Sequence, residues 1–172
     1  MIRLEPVSLQ PPQALMDLLI DLGDGENGFG GNPVHNGHVT LDEYLCKCCD
    51  ERDPAKVRPG LVPQTVFWVL DAASKATGIV RLRHFLNDNL LIHGGHIGYY
   101  IRSDRRGRGY GKQMLGLALE ELRKLGEKRA LITTDLDNLA SIAVITMNGG
   151  YLSDVGAAPK TGAQFGRYWI DL

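Results

Sequence analysis

Between residues 101 and 112 the chain reads Ile-Arg-Ser-Asp-Arg-Arg-Gly-Arg-Gly-Tyr-Gly-Lys, and this run has the makings of a phosphate site. Gly107, Gly109 and Gly111 let the main chain approach a ligand with no Cβ in the way. The run follows a strand-like segment and opens an amphipathic helix, whose first N–H groups have no intrahelical partner. An anion there also gains from the helix dipole, typically ~0.3–1 kcal/mol. Arg102, Arg105, Arg106, Arg108 and Lys112 add local positive charge. Proton-transfer groups stand nearby. His96 begins the strand before the run, and Tyr100 lies on its side of the strand by alternation. Histidine titrates near neutrality, so His96 is the leading general-base candidate, ahead of His84 and His93.

Two nucleotide motifs do not fit. A P-loop would need glycine at Arg106 and a hydroxyl at Gln113. A dinucleotide fingerprint accepts Gly107 and Gly109 but puts its third glycine on Lys112. Asp135, after the next strand, imitates the ribose-binding acid of that fold, yet the run comes too late in the chain and follows antiparallel hairpin strands.

The elements that must position these residues read as follows. Residues 2–7 form a strand, and Leu15, Leu18, Leu19 and Leu22 give a helix its apolar face before Gly23. Residues 23–38 hold six glycines and read as a loop, of a length often used for lids. Residues 40–52 form a second helix. The segments 65–70 and 78–85 make a hairpin, and 96–101 is the next strand. The helix after the glycine run carries Met114, Leu115, Leu117, Ala118, Leu122 and Leu125 up to Gly126, and 130–134 returns as a strand. That order implies a right-handed parallel crossover. A helix over 140–147 is almost wholly apolar and is expected to be largely buried. Two last strands, 151–155 and 167–172, flank a Gly/Ala/Pro-rich loop. The order β-α-α-β-β-β-α-β-α-β-β describes one α/β domain, residues 1–172, around a mixed sheet.

The outward spacing of these features resembles the GCN5-related N-acetyltransferases (GNAT). Motif A of that family, Arg/Gln-x-x-Gly-x-Gly/Ala after a strand, is matched by Arg106, Gly109 and Gly111. Tyr99-Tyr100-Ile101 supplies the strand before it, Asn138 the Asn after the following strand, and Gly150-Tyr151 the Gly-aromatic that ends the last helix. The resemblance spans residues 96–151. It implies an α/β fold with a mixed, mostly antiparallel six- to seven-stranded sheet, helices on both faces and splayed central parallel strands. It implies acetyl-CoA as cosubstrate, with its pyrophosphate on the turn of Arg106, Gly107, Arg108, Gly109, Tyr110, Gly111 and Lys112. Pantetheine would run between the strands ending at Ile101 and Thr134, along the main chain of Tyr99 and Ile101. Asn138 would bond that arm or simply cap its helix.

The same resemblance implies direct attack of a primary amine on the thioester in a ternary complex, with no metal. Backbone N–H groups near Tyr99 to Ile101, where the family often carries a bulge, would hold the oxyanion. Many relatives place an acidic tyrosine four residues before the glycine of Gly-aromatic. That position is Thr146 here, so another group protonates the thiolate or it leaves unaided. The acceptor is a small-molecule or peptide amine. Asp24 and Glu26 would attract its cation, and Arg83 and His84 would help shape its pocket. A homodimer is a common expectation for the family. Two other readings stand beside the enzyme: an acyl-CoA-binding or sensing module without turnover, and a dinucleotide-dependent oxidoreductase.

Composition narrows the partners. The 172 residues are 44% hydrophobic and 23% charged, with net charge −1, which does not suit a nucleic-acid partner. No apolar run reaches the ~18–20 residues of a membrane span, and Met1 to Pro6 does not start a signal peptide, so the expected location is cytoplasmic. Cys46 and Cys49 have C-x-x-C spacing, with His35 and His38 upstream, in the manner of a zinc site. Leu41, Tyr44, Leu45, Cys48 and Cys49 also form one apolar helix face, and core packing is the stronger reading.

Overall fold

The computed structural model describes residues 1–158 and 161–172. Its elements follow in the order β1 (Arg3–Pro6), α1 (Leu15–Leu22), β2 (Gly25–Glu26), β3 (Phe29–Gly30), α2 (Leu41–Asp50), β4 (Gln64–Leu70), β5 (Ala76–Arg83), α3 (Asp88–Ile92), β6 (Ile97–Ile101), α4 (Tyr110–Lys124), β7 (Arg129–Asp135), α5 (Leu139–Thr146), β8 (Tyr151–Ala157) and β9 (Gln164–Asp171). A 3-10 turn, Ser103–Arg105, lies between β6 and the glycine run. The expected Gly/Ala/Pro-rich loop before β9 includes positions 159 and 160, outside the described residues.

β4 shows why this chain builds two cores. From Val66 to Leu70 every residue is buried, and strand side chains alternate between faces. Phe67 and Val69 pack with Val80 and Leu82 of β5 under α4, through Met114, Leu115, Ala118 and Leu122. Val66, Trp68 and Leu70 pack with Ile79 under α1 and α2, through Leu15, Leu18, Leu19, Leu22, Tyr44 and Leu45. Helices on both faces therefore follow from an apolar strand with no solvent side. α2 begins where Thr40 and Glu43 close a capping box: Thr40 Oγ1 accepts from Glu43 N–H at 3.2 Å, and Glu43 returns its carboxylate to Thr40 N–H at 2.8 Å.

The main strands divide into a four-stranded sheet, β1-β4-β5-β6, and a three-stranded sheet, β7-β9-β8, with antiparallel pairing throughout each. The seven strands match the expected architecture. Three local features depart from expectation. The glycine-rich loop contains a small hairpin, β2–β3, in register Gly25↔Gly30 and Glu26↔Phe29. The helix α3, capped by Asn87 on Leu90 N–H at 3.0 Å, fills the connection before β6. Most telling is α5, which is not largely buried. Ile145 alone among its residues is fully covered, while Leu139 is 73% exposed. No helix among the described residues is long and apolar enough to cross a membrane.

Cys48 is buried in the α1–α2 core, and that burial pushes its thiol up to about 11. Cys46 is exposed and Cys49 half-buried. Among the described residues no group of three or more His, Cys, Asp or Glu side chains is gathered for a metal.

Candidate active site

The two sheets touch where β6 begins. Gly95 bridges Ile132, His96 N–H donates to the Leu131 carbonyl at 2.7 Å, and Leu131 N–H donates to His96 Nδ1 at 2.9 Å. A side chain on Gly95, at φ +63°, would collide with the Leu131 carbonyl, so only glycine allows this contact. Beyond it β6 pairs with β5 and β7 with β9, and the gap between β6 and β7 opens. The flanking bonds, Arg83 N–H to His96 O and Arg102 N–H to Thr77 O, fix the parity of the β5–β6 ladder. In an antiparallel ladder hydrogen-bonded pairs alternate, so Tyr99 and Ile101 turn their N–H and C=O groups away from β5 and toward the gap. The register there is continuous; the bulge expected in β6 is absent, and the irregularity in this sheet falls between Val69 and Leu70.

Two cavities meet at this gap. The larger, about 320 Å³, runs from Tyr99, Tyr100 and Ile101 along the glycine turn to Asn138, Ala140, Ala143, Val144 and Met147 of the α5 region. The smaller, about 100 Å³, lies between Ile97–Tyr99 and Ile132–Asp135, walled by the β2–β3 hairpin, Arg81, Arg83 and His93. Asn27, Phe29, Tyr99 and Ser141 line both. The side of α5 that carries Ala140, Ala143 and Val144 is thus a wall of the larger cavity.

The turn itself is built as its sequence suggests. Gly107 and Gly109 hold φ of +73° and +75° with open space where a Cβ would sit. No backbone carbonyl among the described residues takes the N–H groups of Gly107, Arg108 or Gly109, and those of Tyr110, Gly111 and Lys112 begin α4. Gly111 serves packing, since a Cβ there would come within 2.9 Å of Val144 Cγ2 on α5. The positive charge is more committed than the sequence implies. Arg102 and Arg105 pair with Asp104 at 2.6 and 3.4 Å. Arg106 grips Glu26 of the hairpin through both guanidinium nitrogens, at 2.9 and 2.8 Å, and donates Nε to the Ile101 carbonyl at 3.0 Å. Among the described residues Arg108 and Lys112 make no ion pair, so they and the free N–H groups are what a diphosphate would meet. These donors fit such a group. Asn138 caps α5 with Oδ1 on Ser141 N–H at 3.1 Å and still lines the larger cavity.

The proton-transfer candidates are placed differently from expectation. His96 lines neither cavity. It is 2% exposed, its Nδ1 is occupied by Leu131 N–H, and its Nε2 is buried without a hydrogen-bond partner, 3.6 Å from Glu127. Burial, with Arg83 nearby, drops its pKa to about 4. This imidazole fastens β6 to β7, and the geometry gives it no path to an acceptor amine. Tyr100 lines the larger cavity but is buried in the α1–α2 core and donates its hydroxyl proton to Asp21 of α1 at 2.6 Å. Burial and that bond raise its pKa above the usual phenol range. Asp21 also accepts from Ser103 N–H and Oγ at 2.8 and 2.5 Å. Burial opposes its charge, but the bonds from Ser103 and Tyr100 outweigh it and hold its carboxyl below the usual range. Tyr100 is therefore a strut between α1 and the turn. Tyr99 lines both cavities, directs its hydroxyl to the Ser141 carbonyl at 3.4 Å, and is pushed up to about 12 by burial.

Thr146 lines neither cavity and bonds back to the Ile142 carbonyl at 2.8 Å. Of the two acids expected to draw a cationic amine, Glu26 is spent on Arg106 and Asp24 faces His35 at 3.1 Å. Arg83 does line the smaller cavity, whereas His84 shares a hydrogen bond with Thr65 at 2.9 Å and lines neither cavity. Sequence reasoning missed Arg81, Asp21 and the Gly94-Gly95 pair. Two signals were present: arginines at the alternate positions 81 and 83 at the end of a largely apolar strand, and paired glycines directly before another; nothing local marks Asp21.

Comparison with known proteins agrees with this geometry. The chain is 37% identical over 73 residues to the L-methionine sulfoximine/L-methionine sulfone acetyltransferase of Pseudomonas paraeruginosa, a stretch that is 42% of this chain and 41% of that protein. Its fold matches YncA of Salmonella typhimurium, solved with its cofactor acetyl-CoA, at a TM-score of 0.69 and 13% identity over 99% of this chain and 94% of the other. A GNAT-family acetyltransferase from Streptococcus pneumoniae matches at 0.68 and 15% identity over 100% and 99%. The profile of the acetyltransferase (GNAT) domain matches residues 41–150, which takes in the hinge of the gap, the glycine turn and α5. The chain belongs to the GNAT acetyltransferase family.

Proposed function

We propose that this protein moves an acetyl group from acetyl-CoA to a primary amine by direct attack in a ternary complex. One observation carries the reading: two cavities of different character meet at Tyr99 and Ser141, one under the glycine turn and one against the free edge of β7. The larger would take the diphosphate on the N–H groups of the turn and the pantetheine along β6 and the bare side of α5. The smaller would take the amine.

In the reaction the amine nitrogen, once deprotonated, bonds to the thioester carbon. The carbonyl oxygen gains the charge, and the gap-facing N–H groups of Tyr99 and Ile101 are donors for it. The carbonyl then reforms as the carbon–sulfur bond breaks, the thiolate takes a proton, and the nitrogen sheds its extra proton, which restores the donor and leaves an amide and a free thiol. Tyr99 is our choice of donor, because its phenol stays protonated at neutral pH and touches both cavities. His93, an imidazole on the wall of the smaller cavity, is our choice of base, in place of His96.

The test is thiol release from acetyl-CoA across a panel of amines, begun with L-methionine sulfone and sulfoximine, which the Pseudomonas relative's name supplies. Amine-dependent release is expected. Y99F should lower kcat by about 10²-fold while leaving CoA affinity within twofold. CoA binding with no amine-dependent release across the panel would instead identify a sensing module.

A further inference from the structure

We infer that the acceptor carries a carboxylate beside its amine, held by Arg81 and Arg83; this rests on the acetyl-transfer reading above. The two arginines are two residues apart on β5 and so project from one face. Both line the smaller cavity. Arg81 donates Nη2 to the Gly31 carbonyl at 3.2 Å and lies 4.3 Å over the Phe29 ring. Arg83 donates Nη1 to the carbonyls of Gly94 and Gly95 at 3.1 and 3.0 Å. These partners are neutral. They orient the guanidinium groups without cancelling their charge, and among the described residues neither arginine makes an ion pair. Asp135 on the opposite strand is the acidic side chain of this cavity and pairs with neither.

Two like charges in one half-buried pocket repel each other. Burial and the Arg81 charge together push the Arg83 guanidinium below its ordinary range. An anion between them removes that penalty, and a planar carboxylate matches the guanidinium fork. The space suits a compact ligand. Gly98, opposite Arg81 in the β5–β6 register, adds no side chain, and Phe29 closes over it. The pocket opens at Tyr99, where the thioester would lie, so a ligand anchored by its carboxylate presents the neighbouring amine to the acyl group. A free amino acid has this form. A polyamine, which carries only positive charge, does not.

The experiment compares each amino acid with its decarboxylated and amidated forms: L-methionine and its sulfone against 3-(methylthio)propylamine and methioninamide, L-leucine against isopentylamine. The acids should exceed their uncharged-end counterparts at least tenfold in kcat/KM. R81Q should erase that preference by raising KM for the acids tenfold or more, with the amines within twofold of wild type. Equal or better use of the decarboxylated amines overturns the proposal and leaves acetyl transfer standing. A preference for an aminoalkyl phosphonate over the matching carboxylate overturns it too. If no amine is acetylated, acetyl transfer is what has failed, and calorimetry decides the pocket. Heat from L-methionine sulfone on CoA-saturated protein, lost in R81Q, sustains the carboxylate site; no heat, or heat unchanged in R81Q, refutes it.

Discussion

The use of His96 depends on which nitrogen carries the proton. Nδ1 accepts from Leu131 N–H, so the ring must be neutral with its proton on Nε2. A cationic ring would lose that acceptor and bury a charge. The folded-state pKa, about 4, lies below the ordinary 6.5, so the unfolded chain binds the proton first. Stability is therefore full above pH 6.5 and falls as the pH drops toward 4, by about 3 kcal/mol over that window. Replacing His96 with Asn keeps an acceptor near the Nδ1 position and removes the titration. Thermal melts from pH 7 to 4 should show a shallower decline for H96N than for wild type, and parallel declines would remove His96 from this account. The conformation of the glycine turn was legible in the sequence because it is local. The part played by His96 was not, because its partner lies 35 residues on and nothing nearby announces it.

At the scale of elements, the hairpin of β2 and β3 is tied to the glycine turn by Glu26 and Arg106. The bond holds the Glu26 carboxyl below its ordinary range, chiefly through the Arg106 hydrogen bonds. Arg106 is the first motif position, and as long as it faces Glu26 it is not free for phosphate. E26Q should release it and tighten CoA binding about 2–5-fold at low salt, the scale of an exposed ion pair, with the gain fading as salt rises. Calorimetric Kd values in 20 mM and 300 mM salt would check this, and an unchanged or weaker Kd for E26Q would contradict it. The elements also show where patterning misleads. An all-apolar helix reads as buried, yet α5 leaves Leu139 exposed and turns Ala140, Ala143 and Val144 to the larger cavity. Apolar patterning records that a surface avoids water and is silent on whether protein or a bound molecule covers it.

Across the whole molecule, two antiparallel sheets join at Gly95, His96, Leu131 and Ile132 and diverge from there. The fold class was readable because motif spacing and element order are properties of the chain. The parting of 96–101 from 130–134 was expected through the family resemblance alone, since nothing in the residues of the two strands separates them from neighbours in one continuous ladder. The division has a measurable trace. In the free protein the amides of Tyr99 and Ile101 should exchange hydrogen faster than those of Gly98 and Tyr100, which bond to β5. Acetyl-CoA should slow the first pair and leave the second nearly unchanged. Equal protection of all four before ligand is added would mean the gap is closed.

The junction of β6 with β7 is a hinge. A wedge riveted at its apex transmits any strain at its open end to the rivet, and here the rivet is an imidazole in one protonation state. A guest lodged in the wedge would work as mortar on the side where the two panels part, opposite the core that they share under α4. The cosubstrate would therefore be structural cement as well as reagent, and the panels would loosen each time spent coenzyme departs.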